Sequence, residues 1–172
     1  MRLGLEITTA AAVTRAFHVA PEILLDELET AMGNSLMYLQ RETVERTPMA
    51  FGTLRGAYVT EQYSSPALSA VFGELSNGLP YAVPVELGTR PHFPPIQPLI
   101  DWVEAKLGLA GEQAEAAARG IQRKIGAKGT PAAHMMTNAL RDGRSTIEME
   151  FREALQRFDV RVAAAGGQGA AQ

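Results

Sequence analysis

Apolar residues fall on alternate positions at the start of the chain, at Met1, Leu3, Leu5 and Ile7, with Arg2, Gly4, Glu6 and Thr8 between them. Period two makes one apolar face and predicts a strand over Arg2–Thr8. The pattern then changes. Ala10–Ala12 and Val13 lead through a short irregular or helical piece to His18, and Leu25, Leu28, Met32, Leu36 and Leu39 recur at three- and four-residue steps. That stripe predicts a helix opening at Pro21, with Glu22, Asp26, Glu27 and Glu29 in its early turns, and stopped after Arg46 by Thr47-Pro48. At 1.5 Å per residue it would be roughly 40 Å long.

Leu54–Gln62 and Leu68–Gly73 read as two strands, joined across Ser64-Ser65-Pro66 and supported by the β-branched and aromatic residues Tyr58, Val59, Val71 and Phe72. Ser76-Asn77-Gly78 reads as a turn into a third strand, Tyr81 to Leu87. Gly88 breaks that run, and Pro91, Pro94 and Pro95 stiffen the loop behind it, each proline fixing φ near −65° and biasing its predecessor to extended geometry. A stiff, exposed, partly apolar loop suits docking better than closure over a substrate.

Helical periodicity resumes at Ile96–Leu107, where Leu99, Ile100, Val103 and Leu107 share a face, Trp102 flanks it and Gly108 is the expected terminator. Glu112–Ile125 is Ala-rich and helical, weakened by Gly120. Lys128-Gly129-Thr130-Pro131 is a break. Ala132–Asp142 reads as a helix ended by Gly143, and Ser145-Thr146-Ile147-Glu148 has capping-box spacing for another helix to about Phe158. The expected fold class is α+β, an antiparallel sheet of about four strands packed with one long N-terminal helix and several C-terminal helices. Residues 1–162 read as one domain and 163–172 as a disordered Ala/Gly/Gln tail.

Composition narrows the function. The 172 residues carry a net charge of −3, which argues against a dedicated nucleic-acid binder. The absence of cysteine removes disulfides, thiolate metal sites and cysteine nucleophiles. No basic-then-apolar leader opens the sequence and no apolar run approaches bilayer length, so a soluble protein without a membrane partner is expected.

Candidate chemistry is sparse. His18, His92 and His134 are far apart and lack paired-ligand spacing, so loop or surface histidines are the better reading than a metal site. Gly52-Thr53-Leu54-Arg55 lacks the spacing and lysine of a phosphate-cradling loop. Glu86 and Asp101 flank the proline loop as an acid–base candidate, with His92 between them, although such residues more often cap helices or pair with arginine. Arg119, Arg123, Lys124, Lys128 and Arg141 form a basic segment with no acid between Glu115 and Asp142. It reads either as a solvated helix face or as a surface for passing nucleic acid or an anionic partner, with the acidic start of the first helix as its natural complement across a subunit boundary.

Two motifs stand out in order: Thr47-Pro48 with Gly52-Thr53-Leu54-Arg55-Gly56, and Tyr81-Ala82 with Val85-Glu86-Leu87-Gly88-Thr89-Arg90-Pro91. On these the chain resembles the head–tail joining and tail-completion (neck) proteins of long-tailed bacteriophages, prophages and phage-derived particles such as gene transfer particles. The first motif departs from the family pattern at Met49-Ala50-Phe51, where an acid is missing. The resemblance implies a virion structural protein made in the bacterial host cytoplasm: a ring, commonly of six subunits, that joins tail to head or completes the tail end. It implies no turnover, cofactor or metal, and partners that are further copies and the neighbouring connector, tail-tube or tail-terminator proteins, with DNA at most in transit. Pro48, Gly52, Leu54, Arg55, Tyr81, Glu86, Gly88, Thr89, Arg90, Pro91, Phe93 and Trp102 are the expected motif and interface residues. Arg55 and Glu86 are expected to pair, and Trp102 to sit in the core in preference to an interface. Alternatives are a tail terminator or other minor tail protein, a small enzyme using Glu86, His92 and Asp101, or a DNA-binding adaptor working through Arg119–Arg141.

Overall fold

The computed structural model describes residues 10–49, 52–68 and 70–167. The strand expected at Arg2–Thr8 and the last residues of the expected tail lie outside them. In chain order the elements are α1 (Ala10–Arg46), α2 (Thr53–Gly56), β1 (Tyr58–Ser65), β2 (Ala70–Asn77), α3 (Ala82–Leu87), α4 (Ile96–Leu107), α5 (Gly111–Lys128) and α6 (Met135–Gly167). The mixed α+β class holds, with helix dominant. The sheet among the described residues is one two-stranded antiparallel hairpin, β1 with β2, in place of the expected four strands.

Five further expectations are corrected. Tyr81–Leu87 is helical, not a strand: Val85 N–H donates to the Tyr81 carbonyl at 3.0 Å, a local bond that replaces a sheet partner. The run is too short for period to distinguish a half-buried strand from one turn of helix. Pro21 lies inside α1 instead of opening it, because the Ala-rich residues before it already propagate the helix and Pro21 forgoes one backbone bond. Gly143 does not end a helix either; α6 runs through it, with Gly143 buried where a side chain is absent. Glu148 therefore pairs with Arg144 at 2.7 Å, one turn away, instead of closing a capping box with Ser145. The same helix continues over Ala163–Gly167, the first half of the expected disordered tail.

The chain forms two compact units. One comprises residues 39–59 and 75–143: the end of α1, then α2, α3, α4, α5 and the start of α6. It has two cores. Leu54, Ala82 and Met135 are packed round by Leu79, Val85 and Ala133. Val103, Ala114 and Ala118 join α4 to α5, with Ile96, Leu99, Ile100 and Ile121 around them. The α4 prediction matches at both ends, and Gly108 takes the left-handed terminator conformation (φ 64°). Val103 holds the buried position, so Trp102, one residue round the helix, is 36% exposed instead of in the core.

The other unit comprises, among the described residues, 10–38, 60–68, 70–74 and 144–167. Here the hairpin lies on α1: Gln62 Nε2 donates to the Glu29 carbonyl at 3.1 Å, and a β-carbon on Gly73 would meet Met32 Sδ at 2.5 Å. Two of the acids expected to await a partner subunit, Asp26 and Glu27, are occupied within the chain. Glu27, largely buried, accepts from Arg157 Nε at 2.7 Å and Arg161 Nη1 at 2.8 Å, and Asp26 also pairs with Arg161. Hydrogen bonds from Arg161 and then Arg157 outweigh burial and hold the Glu27 carboxyl below its usual range.

Candidate functional site

The first motif is built for local anchoring. Gly52 sits at φ 82°, in the left-handed region that a β-carbon disfavours, and turns the chain into α2. Leu54 then points into the core. Arg55 Nε donates to the Thr47 carbonyl at 2.7 Å, satisfying a carbonyl left free just past the end of α1. Asn77 Nδ2 donates to the Leu54 carbonyl at 3.0 Å, fixing the end of β2 to the same turn. Pro48 is exposed beside it.

Glu86 does not pair with Arg55. Its carboxylate caps α6: Oε2 accepts from Met136 N–H at 3.0 Å, and Oε1 accepts from Thr137 N–H at 2.9 Å and the Thr137 hydroxyl at 2.7 Å. The free N–H groups of a first turn and the positive end of the dipole favour a carboxylate there. Burial raises the Glu86 carboxyl, and the bonds from Thr137, Met136 and Met135 together outweigh it, leaving the pKa lowered. Backbone bonds from Ala133 N–H to the Val85 carbonyl (2.9 Å) and His134 N–H to the Glu86 carbonyl (3.0 Å) complete the join.

Immediately after, two Gly-Thr segments cross. Thr89 and Thr130 form an antiparallel bridge, with N–H to carbonyl bonds of 3.0 and 3.3 Å and their hydroxyl oxygens 2.9 Å apart. Both glycines have positive φ, 73° at Gly88 and 72° at Gly129. A β-carbon on Gly88 would lie 2.6 Å from the Thr130 carbonyl oxygen, and one on Gly129 would lie 1.9 Å from that of Thr89. The Gly129-Thr130-Pro131 half reads in the sequence only as a break. Nothing in the spacing of either segment signals that the two meet.

The proline loop is then tied to α5. His92 N–H donates to the Ile125 carbonyl at 3.4 Å, Gln122 Nε2 donates to the Pro94 carbonyl at 2.8 Å, and the Phe93 ring lies against Gly126. Apolar side chains remain uncovered on this frame: Val83 is 63%, Leu87 64% and Phe93 72% exposed. Tyr81, Arg90 and Pro91 are exposed too. A cavity of about 160 Å³ opens beside α3, lined by Tyr58, Ala82, Val83, Glu86, Leu87 and Met135. Tyr58 is buried, its hydroxyl 3.2 Å from Thr47 Oγ1 and 3.8 Å from Met135 Sδ, and burial raises its pKa.

The acid–base candidates are each committed elsewhere. Glu86 caps α6, Asp101 Oδ1 accepts from Gln97 at 2.8 Å, and His92 Nδ1 bonds to the Arg90 carbonyl at 3.0 Å. No cluster of three metal-ligating side chains occurs among the described residues, and no helix there is long and apolar enough to cross a membrane. Arg119, Arg123, Lys124 and Lys128 are all exposed on α5; Arg119 is held by Glu115 at 2.6 Å, while Arg141, on α6, bonds to Asp142 at 2.9 Å.

Set against known proteins, the chain matches no family, no curated protein and no solved structure.

Proposed function

We propose that the chain is a non-catalytic structural subunit that assembles into a ring, of the kind that joins a bacteriophage tail to its head or completes the tail end. The observation that carries this reading is the set of uncovered apolar side chains, Val83, Leu87 and Phe93, held on a backbone that the Gly88–Gly129 crossing and the Glu86 cap make rigid. Exposed apolar groups on a stiff frame mark a docking surface, since little conformational freedom is lost on binding. The two sequence motifs that resemble the neck proteins end on the same frame. The natural partners are further copies, a ring of six being the family's usual number, and the adjacent connector and tail proteins in the virion. DNA would pass through the lumen without being acted upon.

Light scattering coupled to gel filtration tests this, across concentrations and with co-expressed neck or tail proteins. A ring-sized species is expected, and its loss in Leu87→Ser or Phe93→Ser places the contact on this frame. A monomer under every condition overturns the reading. The exposed cations of α5 favour a second reading, a DNA-binding adaptor, which predicts duplex binding that weakens steeply with salt.

A further inference from the structure

We infer that the outward face of the β1–β2 hairpin docks on the basic face of α5 in a second copy of the chain. This rests on the ring reading and adds a second pair of surfaces to the Val83, Leu87 and Phe93 frame. Side chains alternate across the hairpin. Gln62 and Gly73 face α1, so Glu61, Tyr63, Phe72 and Glu74 face away from it. The Tyr63 and Phe72 rings stack with centroids 4.9 Å apart and planes 13° from parallel, yet are 62% and 39% exposed. Glu61 and Glu74 are the only charged residues between positions 58 and 77, both are exposed, and neither forms an ion pair among the described residues. This face is aromatic at its centre and wholly acidic in its charges.

The complement stands on α5. Arg123, Lys124 and Lys128 are exposed and meet no carboxylate among the described residues, whereas Asp26 and Glu27 of α1 are already taken by Arg157 and Arg161. The hairpin thus holds anions without cations and the second half of α5, after Arg119, holds cations without anions, in a chain whose net charge is only −3. Arginine also stacks on aromatic faces, which fits it to the Tyr63–Phe72 pair. A two-stranded hairpin is marginal alone, and covering its outer face would stabilise it. Two different surfaces meet in such a contact, so it is heterologous and propagates from copy to copy until it closes. That property makes a second copy the occupant in preference to an unrelated basic protein.

Charge swapping tests the contact on the full chain. Light scattering over a concentration series would compare wild type, E61K/E74K, R123E/K124E and an equimolar mixture of the two variants, with circular dichroism melts confirming that each variant is folded. Each variant alone should need a roughly tenfold or higher concentration to assemble. The mixture should assemble again, because every interface in an alternating ring would regain opposite charges. Variants that assemble like wild type, or a mixture that stays dispersed, overturn the inference while leaving the ring reading intact. Loss of duplex DNA binding in R123E/K124E with assembly unchanged also overturns it, in favour of the adaptor. Wild-type protein that remains monomeric at every concentration overturns docking between copies, and the ring reading is then decided by the co-expression experiment.

Discussion

At the Gly88–Gly129 crossing, backbone meets backbone: two glycines at positive φ let two segments approach closer than any β-carbon allows, and the bonds across are between N–H groups, carbonyls and hydroxyls. Where α1 meets α6 near Glu27, the join is made by side chains of opposite charge. The first kind of contact tolerates almost no substitution and is indifferent to salt and acid. The second tolerates shape change but depends on ionisation. The rigid kind underlies the proposed docking frame, as expected if that frame must present its surface without rearranging.

The largest effect is expected from Gly129→Ala, whose added carbon would collide with the Thr89 carbonyl oxygen while holding a positive φ. A loss of about 3 kcal/mol or more is expected in urea unfolding, and none of it should respond to salt. Next comes Glu27→Ala, which removes two charged hydrogen bonds and leaves Arg157 and Arg161 facing each other's charge. It should cost about 2 kcal/mol at neutral pH and low salt, less at 1 M NaCl.

Glu86→Gln probes charge within the rigid region, since it removes the charge on the α6 cap and keeps the shape. About 1 kcal/mol is expected at pH 7. Because the folded pKa is lowered, Glu86 contributes stability that is present above the ordinary carboxylate pKa and lost as pH falls through the lowered folded value. The variant should therefore lack part of the acid limb of the stability–pH curve, as Glu27→Gln should for the same sign of shift. The smallest effect is expected from Gly126→Ala. Its β-carbon would lie 2.5 Å from Phe93 Cζ, but that exposed ring can swing aside, and alanine gains about 1 kcal/mol of helix propensity. Thermal melting should change little, whereas ring assembly should fall if Phe93 must stand where it does.

Long, strongly periodic segments were legible. The stop of α1 at Arg46, the whole of α4 and its Gly108 terminator, and the bulk of α5 follow from apolar spacing and helix-end residues. Short apolar runs were not. Tyr81–Leu87 satisfies a strand pattern and a single helical turn equally, and its neighbours in space decided the matter. Of the motif residues, Gly52, Leu54 and Gly88 have conformations and burial that their residue types imply. The partners of Arg55 and Glu86 were misassigned to each other, since charge alone does not reveal which backbone groups need a partner. Arg55 serves the carbonyl of Thr47 just past α1, and Glu86 the N-terminus of α6.

By itself, the order of residues determined where long helices run and stop, that no thiol chemistry is possible, and that glycine and proline punctuate residues 88–95 and 129–131. These are local properties, set by propensity, dihedral limits and composition within a few residues. Only the tertiary structure decided that the two Gly-Thr segments cross, that Glu86 caps a helix 50 residues further on, and that Glu27 is neutralised by arginines 130 and 134 positions away. Each is a pairing of distant groups. Sequence spacing carries no information on such pairing, because many carboxylates and glycines compete for each partner until packing brings one of them within hydrogen-bond reach.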